Sequence, residues 1–73
     1  MKTLKDVAIG EKTTITRMLG AGAVKRRLMD MGLVKGVEVL VRKAAPFGDP
    51  IEISLRGYEL SLRKHEAEMV LVG

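Results

Sequence analysis

Aliphatic residues recur along this chain at two different periods, and the change of period marks its elements. A short segment from Leu4 to Ile9, closed by Gly10, leads into KTTITRML (Lys12 to Leu19), whose threonines and aliphatics suit a strand. Gly20-Ala21-Gly22 breaks it. From Ala23 to Met31 the spacing becomes helical: Val24, Leu28 and Met31 share one face, Lys25, Arg26 and Asp30 take the other, and Arg27 lies at the boundary. Gly32 is placed to end this helix as the left-handed residue of a Schellman motif, which would bring Leu33 against Leu28. A helix of about nine residues does not persist alone, since roughly 12–15 are already marginal. Its apolar face must therefore be clamped to the rest of the fold, which puts Lys25 and Arg26 outside.

The period then returns to two. Val37, Val39 and Val41 alternate through GVEVLVRKA (Gly36 to Ala44), and the prolines of APFGDP (Ala45 to Pro50) mark a turn. Ile51, Ile53 and Leu55 form the inward side of IEISLR. A tight turn at Gly57-Tyr58 would join it to ELSLR, with Gly57 first in a type II′ turn. That register opposes Leu55 to Leu60 and Ile53 to Leu62 inside, and Arg56 to Glu59 and Glu52 to Arg63 outside. KHEAE (Lys64 to Glu68) suits one helical turn and MVLV (Met69 to Val72) a last strand. The expected fold is mainly β: one domain over residues 1–73, five short strands closed into a small barrel, and one α-helix over about residues 23–31.

Composition narrows the function. With 73 residues and no cysteine, neither disulfides nor thiolate metal sites can reinforce the domain, and stability rests on apolar packing, for which 47% hydrophobic residues are available. The net charge of +4 invites a polyanion, yet thirteen basic residues are interleaved with nine acidic ones along the whole chain. That is a mixed, solvated surface, so no nucleic-acid partner is expected. The N-terminus lacks a signal-peptide core, and no apolar run approaches the ~20 residues that span a bilayer. A cytoplasmic protein is expected, reaching the membrane only through a partner.

Catalytic constellations are missing. GAGAVK lacks the third glycine of a dinucleotide fingerprint and has no βαβ unit around it. Ser54 and Ser61 have no paired base, and two aromatics, Phe47 and Tyr58, are too few for a stacking platform. His65, the one histidine, could share a helical turn with Glu68, a weak nitrogen–oxygen site at best for Fe(II) or another divalent transition metal. No enzyme and no resident cofactor are expected. Met29, beside Leu33 and Val34, supplies an adaptable apolar surface instead.

Three co-ordered segments resemble one family. R-x-L-x-x-x-G-L-x-x-G (Arg26 to Gly36), P-x-G-D-P-I (Pro46 to Ile51) and L-R-K-x-E-A (Leu62 to Ala67) are similar to the FeoA family, small cytosolic partners of the bacterial ferrous iron transporter FeoB. Lys35 departs from the pattern, standing where many relatives have proline. The resemblance implies a Src-homology-3-like barrel, shared with the C-terminal domain of iron-dependent repressors, and a role in Fe(II) uptake. It implies docking on the transporter's cytosolic GTPase-containing part; for that docking the apolar helix end makes Arg27, Leu28, Met29, Leu33 and Val34 the expected contact, with Pro46, Phe47, Gly48, Asp49 and Pro50 as a second edge. The repressor likeness carries an alternative, a metal-responsive module binding transition metal or nucleic acid. Self-association is left open by the pattern.

Overall fold

The computed structural model describes Lys2 to Gly73. Along it run β1 (Lys12–Met18), α1 (Gly22–Asp30), β2 (Glu38–Ala44), β3 (Ile51–Leu55), β4 (Tyr58–Leu62), α2 (Lys64–Ala67) and β5 (Val70–Val72). The five expected strands are present, with bounds within two residues of those read from the pattern. They form one antiparallel sheet in the order β4-β3-β2-β1-β5.

The sheet curls because its longer strands bend. β1 pairs with β2 through Lys12 to Thr14 and with β5 through Ile15 to Met18, and its register slips at Thr16. A second slip lies at Arg42, between β2 and β3. An extra residue on one strand kinks it and increases its twist, so two of them wrap five short strands around one core. Ile15, Val39, Val41, Ile53, Leu62 and Val70 line that core, with Leu4, Leu28 and Leu33 added from outside the sheet, all fully buried.

Closure is less complete than the pattern implied. β4 and β5 are the two ends of the sheet and do not pair with each other. α2 intervenes between them, and three-residue β5 is already occupied. One edge pairs with β1; the other takes Lys2 and Thr3, through a Thr3–Leu71 bridge and a 3.0 Å bond from the Val72 N–H to the Lys2 carbonyl.

The hairpin exists in a different register. Its turn is Arg56-Gly57, both at positive φ (47° and 86°), the conformation of a type I′ turn. Leu55 therefore faces Tyr58, Ile53 faces Leu60, and Ile51 faces Leu62. The expected Arg56–Glu59 and Glu52–Arg63 pairs do not form. Glu59 instead meets Arg42 at 3.2 Å, and Glu52 lies 3.9 Å from Lys43. The physical reason is that a two-residue slip keeps every side chain on its face, so alternation cannot choose between the registers. The observed one keeps two aliphatic pairs and adds Leu55 against the Tyr58 ring. Arg56 carries a Cβ penalty in this left-handed position, which asparagine tolerates better. Arg56→Asn is expected to raise stability by up to about 1 kcal/mol, read as a higher urea midpoint at unchanged slope. A lower midpoint would contradict the turn assignment.

Helix α1 ends as its sequence predicts. The Leu33 N–H donates to the Leu28 carbonyl at 3.1 Å, the Gly32 N–H donates to the Met29 carbonyl at 3.0 Å, and Leu28 and Leu33 are buried together. Gly32 is at φ +102°, and a Cβ there would sit 2.6 Å from the Tyr58 hydroxyl, so a larger residue would be strained and would displace that hydroxyl. The start of the helix differs from expectation. Val24 is 38% exposed and Lys25 is half-buried. Leu28 is the helix's one buried residue, so α1 is gripped by its last turn while its first turn lies on the surface.

Candidate docking surface

Two grips hold the last turn of α1 in place. Beneath it, Leu28 and Leu33 enter the core. Beside it, the Arg27 guanidinium pairs with Glu66 of α2. Glu66 is the only buried charged residue among those described, its side chain 5% exposed against 59% for Arg27. Its other carboxylate oxygen accepts the Arg63 N–H at 2.9 Å, capping the first turn of α2. A third tie comes from β4, whose Tyr58 hydroxyl donates to the Met31 carbonyl. Two segments distant in sequence, α1 and the consecutive β4 and α2, thus meet in one surface at the C-terminal end of α1.

On that surface Met29 is 41% exposed and Val34 is half-buried against the core. Leu28 and Leu33, expected among the contact residues, are wholly buried and support the surface from below. Their burial follows from the Schellman contact itself, which needs both side chains in the core. Arg26 and Asp30 remain exposed on the outer side of the helix.

Residues of the Pro46–Pro50 loop, expected as a second edge, line two separate concavities. Pro50 shares a concavity of about 560 Å³ with Arg27, Arg63, His65 and Glu66, on the α1 side. Phe47 and Gly48 line a separate groove with Val7, Ile9, Ile51 and Lys64. Asp49 lies between them, its carboxylate accepting the Lys64 N–H at 3.1 Å. The loop therefore belongs to two surfaces.

The two metal candidates have different neighbours. Glu68 takes a 3.0 Å ion pair with Lys5, while His65 faces the concavity of Arg27 and Glu66. That pairing, chiefly its hydrogen bond, holds the Lys5 ammonium above its usual pKa. No group of three or more His, Cys, Asp or Glu comes together among the described residues. No helix among them is long and apolar enough to cross a membrane.

Glu66 and Ile9 were missed by reading the pattern. For Glu66 a signal existed: it stands three residues after Arg63, the position from which a glutamate caps a helix start. Ile9, 63% exposed, looked like part of an ordinary apolar segment.

Known proteins are similar to this chain over nearly all of its length. A relative from Porphyromonas gingivalis, an Fe(2+) transport protein A/Fe(2+) transporter FeoB fusion protein, is 32% identical over 69 residues, 94% of this chain and 8% of that one. The chain thus spans less than a tenth of that fusion protein. A FeoA-like protein from Clostridium acetobutylicum is 45% identical with a TM-score of 0.89, over 97% of this chain and 83% of that one. Stenotrophomonas maltophilia FeoA, a prokaryotic SH3 domain protein solved with zinc, is 27% identical with a TM-score of 0.89, over 100% and 91% of the two chains. A manganese-dependent transcriptional repressor shares the fold alone, at 18% identity and a TM-score of 0.87 over 97% of this chain and 40% of that one. The barrel is of the Src-homology-3-like kind. With the FeoA domain model matching residues 2–73, this chain belongs to the FeoA family of ferrous iron transport.

Proposed function

We propose that this protein is a non-enzymatic accessory of bacterial Fe(II) uptake, docking on the cytosolic GTPase-containing part of FeoB through the C-terminal end of α1. The carrying observation is the fusion relative, in which a domain similar to this one shares a chain with the transporter. Covalent linkage raises the effective concentration of two modules that work together, and a free domain must supply the same proximity by affinity. The surface suits that task. Met29 offers adaptable apolar area, Val34 extends it, and Leu28 and Leu33 stiffen it from beneath. Arg27 is held in place by Glu66 yet more than half exposed, so it can donate further hydrogen bonds to a partner. Pro50 completes the rim across the concavity.

The test is an NMR titration of the labelled domain with the GTPase domain of the matching transporter, with and without nucleotide and Fe(II). Amide shifts are expected from Arg26 to Val34. Met29→Glu is expected to weaken binding at least about tenfold by placing a charge in the desolvated patch, with the fold unchanged because Met29 is exposed. Absence of binding in every nucleotide state would refute the reading. The repressor likeness, at 18% identity, brings no function with it.

A further inference from the structure

The groove on the other side of the Pro46–Pro50 loop has no part in this docking surface. Its floor is aliphatic: Val7, Val41 and Ile51, all buried from the side. Its walls are the two most exposed large apolar residues among those described, Ile9 at 63% and Phe47 at 96%. Among the described residues, Lys5 and Lys64 are the only charged ones lining it, and no carboxylate does.

Phe47 is held in this position by a built loop. The Gly48 N–H donates to the Ala45 carbonyl at 2.8 Å, and the Ala45 N–H donates to the Pro50 carbonyl at 3.0 Å. Asp49 ties the loop to α2 through the Lys64 N–H at 3.1 Å. Phe47 itself is at φ 70°, a left-handed conformation that costs a side-chain-bearing residue energy. A bulky aromatic in that conformation, almost wholly in water, gains nothing from the fold of this chain. It is therefore available to a partner.

We infer that this groove is a second docking site, for a short acidic segment of a partner protein that inserts one or two apolar side chains between Phe47 and Ile9. Size selects a side chain: the cavity is about 260 Å³, below the ~300 Å³ at which small-molecule sites begin. Charge selects acidic flanks. Lys64 has no ion-pair partner among the described residues, and the exposed Lys5–Glu68 pair is of the kind worth about 1 kcal/mol or less, so an incoming carboxylate can compete for Lys5. Shape and charge together also decide against the other occupants. A second copy would bring two pairs of lysines together on chains of net charge +4. A bilayer surface is flat on this scale and would leave the aliphatic floor unfilled.

The experiment is selection of random twelve-residue peptides displayed on phage against the whole chain, with Phe47→Ser as the counter-target. Enriched peptides are expected to carry Leu, Ile, Phe or Trp within three residues of Asp or Glu. A synthetic representative should shift the amides of Ile9, Val41, Gly48, Ile51 and Lys64 and leave those of α1 unmoved. Phe47→Ser and Lys64→Glu should each weaken it at least about tenfold, and both residues are exposed, so the fold survives. Failure to enrich over Phe47→Ser, enrichment of basic or uncharged sequences, or shifts centred on α1 would each overturn the assignment. So would concentration-dependent dimerisation abolished by Phe47→Ser, which would name a second copy as the occupant. Sedimentation with phosphatidylserine vesicles abolished by Phe47→Ser would name the membrane instead. Because this groove shares no lining residue with the Arg27–Pro50 concavity, its failure and that of transporter docking are read independently.

Discussion

Leu28→Ala is expected to cost about 3–4 kcal/mol, the middle of the range for emptying a fully buried leucine site. A domain of this size has a total stability of roughly 4–11 kcal/mol, with small cores toward the low end. The substitution therefore removes about half of the folding free energy or more. The loss is large for a structural reason: Leu28 is the only buried residue of α1 and makes the hydrophobic contact of its terminal motif with Leu33. Nothing else on the helix reaches the core to replace it. Urea unfolding should show the midpoint falling steeply, and thermal unfolding should lose about 15 °C or more. Met29→Ala, one residue on and exposed, should stay within about 0.5 kcal/mol of the parent. A loss below about 1 kcal/mol for Leu28→Ala would mean that α1 is not clamped by this side chain. The same contrast guards the functional test, because weakened docking in Leu28→Ala reports a disturbed helix, whereas in Met29→Glu it reports a lost contact.

Removing Glu66 is the second large effect, expected at about 2–3 kcal/mol for Glu66→Ala. Two acceptors disappear with one side chain. The Arg63 N–H loses its cap at the start of α2, and Arg27 loses the carboxylate that ties α1 to that turn. Arg27→Ala should cost less, about 1–2 kcal/mol: it leaves a buried carboxylate without its cation, but the cap remains. If the two groups act as a pair, the double variant costs less than the sum, with a coupling of about 1 kcal/mol or more. Glu66→Gln should recover part of the loss, since its amide oxygen can still accept the Arg63 N–H. Additive costs in the denaturation cycle would show that the pair contributes nothing beyond its separate contacts.

These two residues were not equally visible in the sequence. Leu28 was legible because helical spacing and a following Gly32-Leu33 specify its burial locally, and the two Schellman hydrogen bonds form where that spacing puts them. Glu66 was not, although it lies in a segment similar to the FeoA family. A lone glutamate beside a lysine and a histidine reads as solvated surface until its partner is known. That partner, Arg27, is thirty-nine residues away. The same limit applied to the charged pairs of the hairpin: Arg42 and Lys43 of β2 compete for Glu59 and Glu52, and no local rule weighs that competition.

By itself the sequence determined the strand and helix periods, the end of α1 and the family. All of these are encoded within a few consecutive residues, or in their order. Only the tertiary structure decided the hairpin register, the open seam between β4 and β5, and the division of the proline loop between two surfaces. Each of these depends on which distant side chains meet, because period-two alternation is blind to a two-residue slip and a loop's composition does not say which way its residues face. Leu28 and Leu33 moved from contact to support for the same reason: apolarity was written in the chain, but the side of the surface on which each lies was settled by packing.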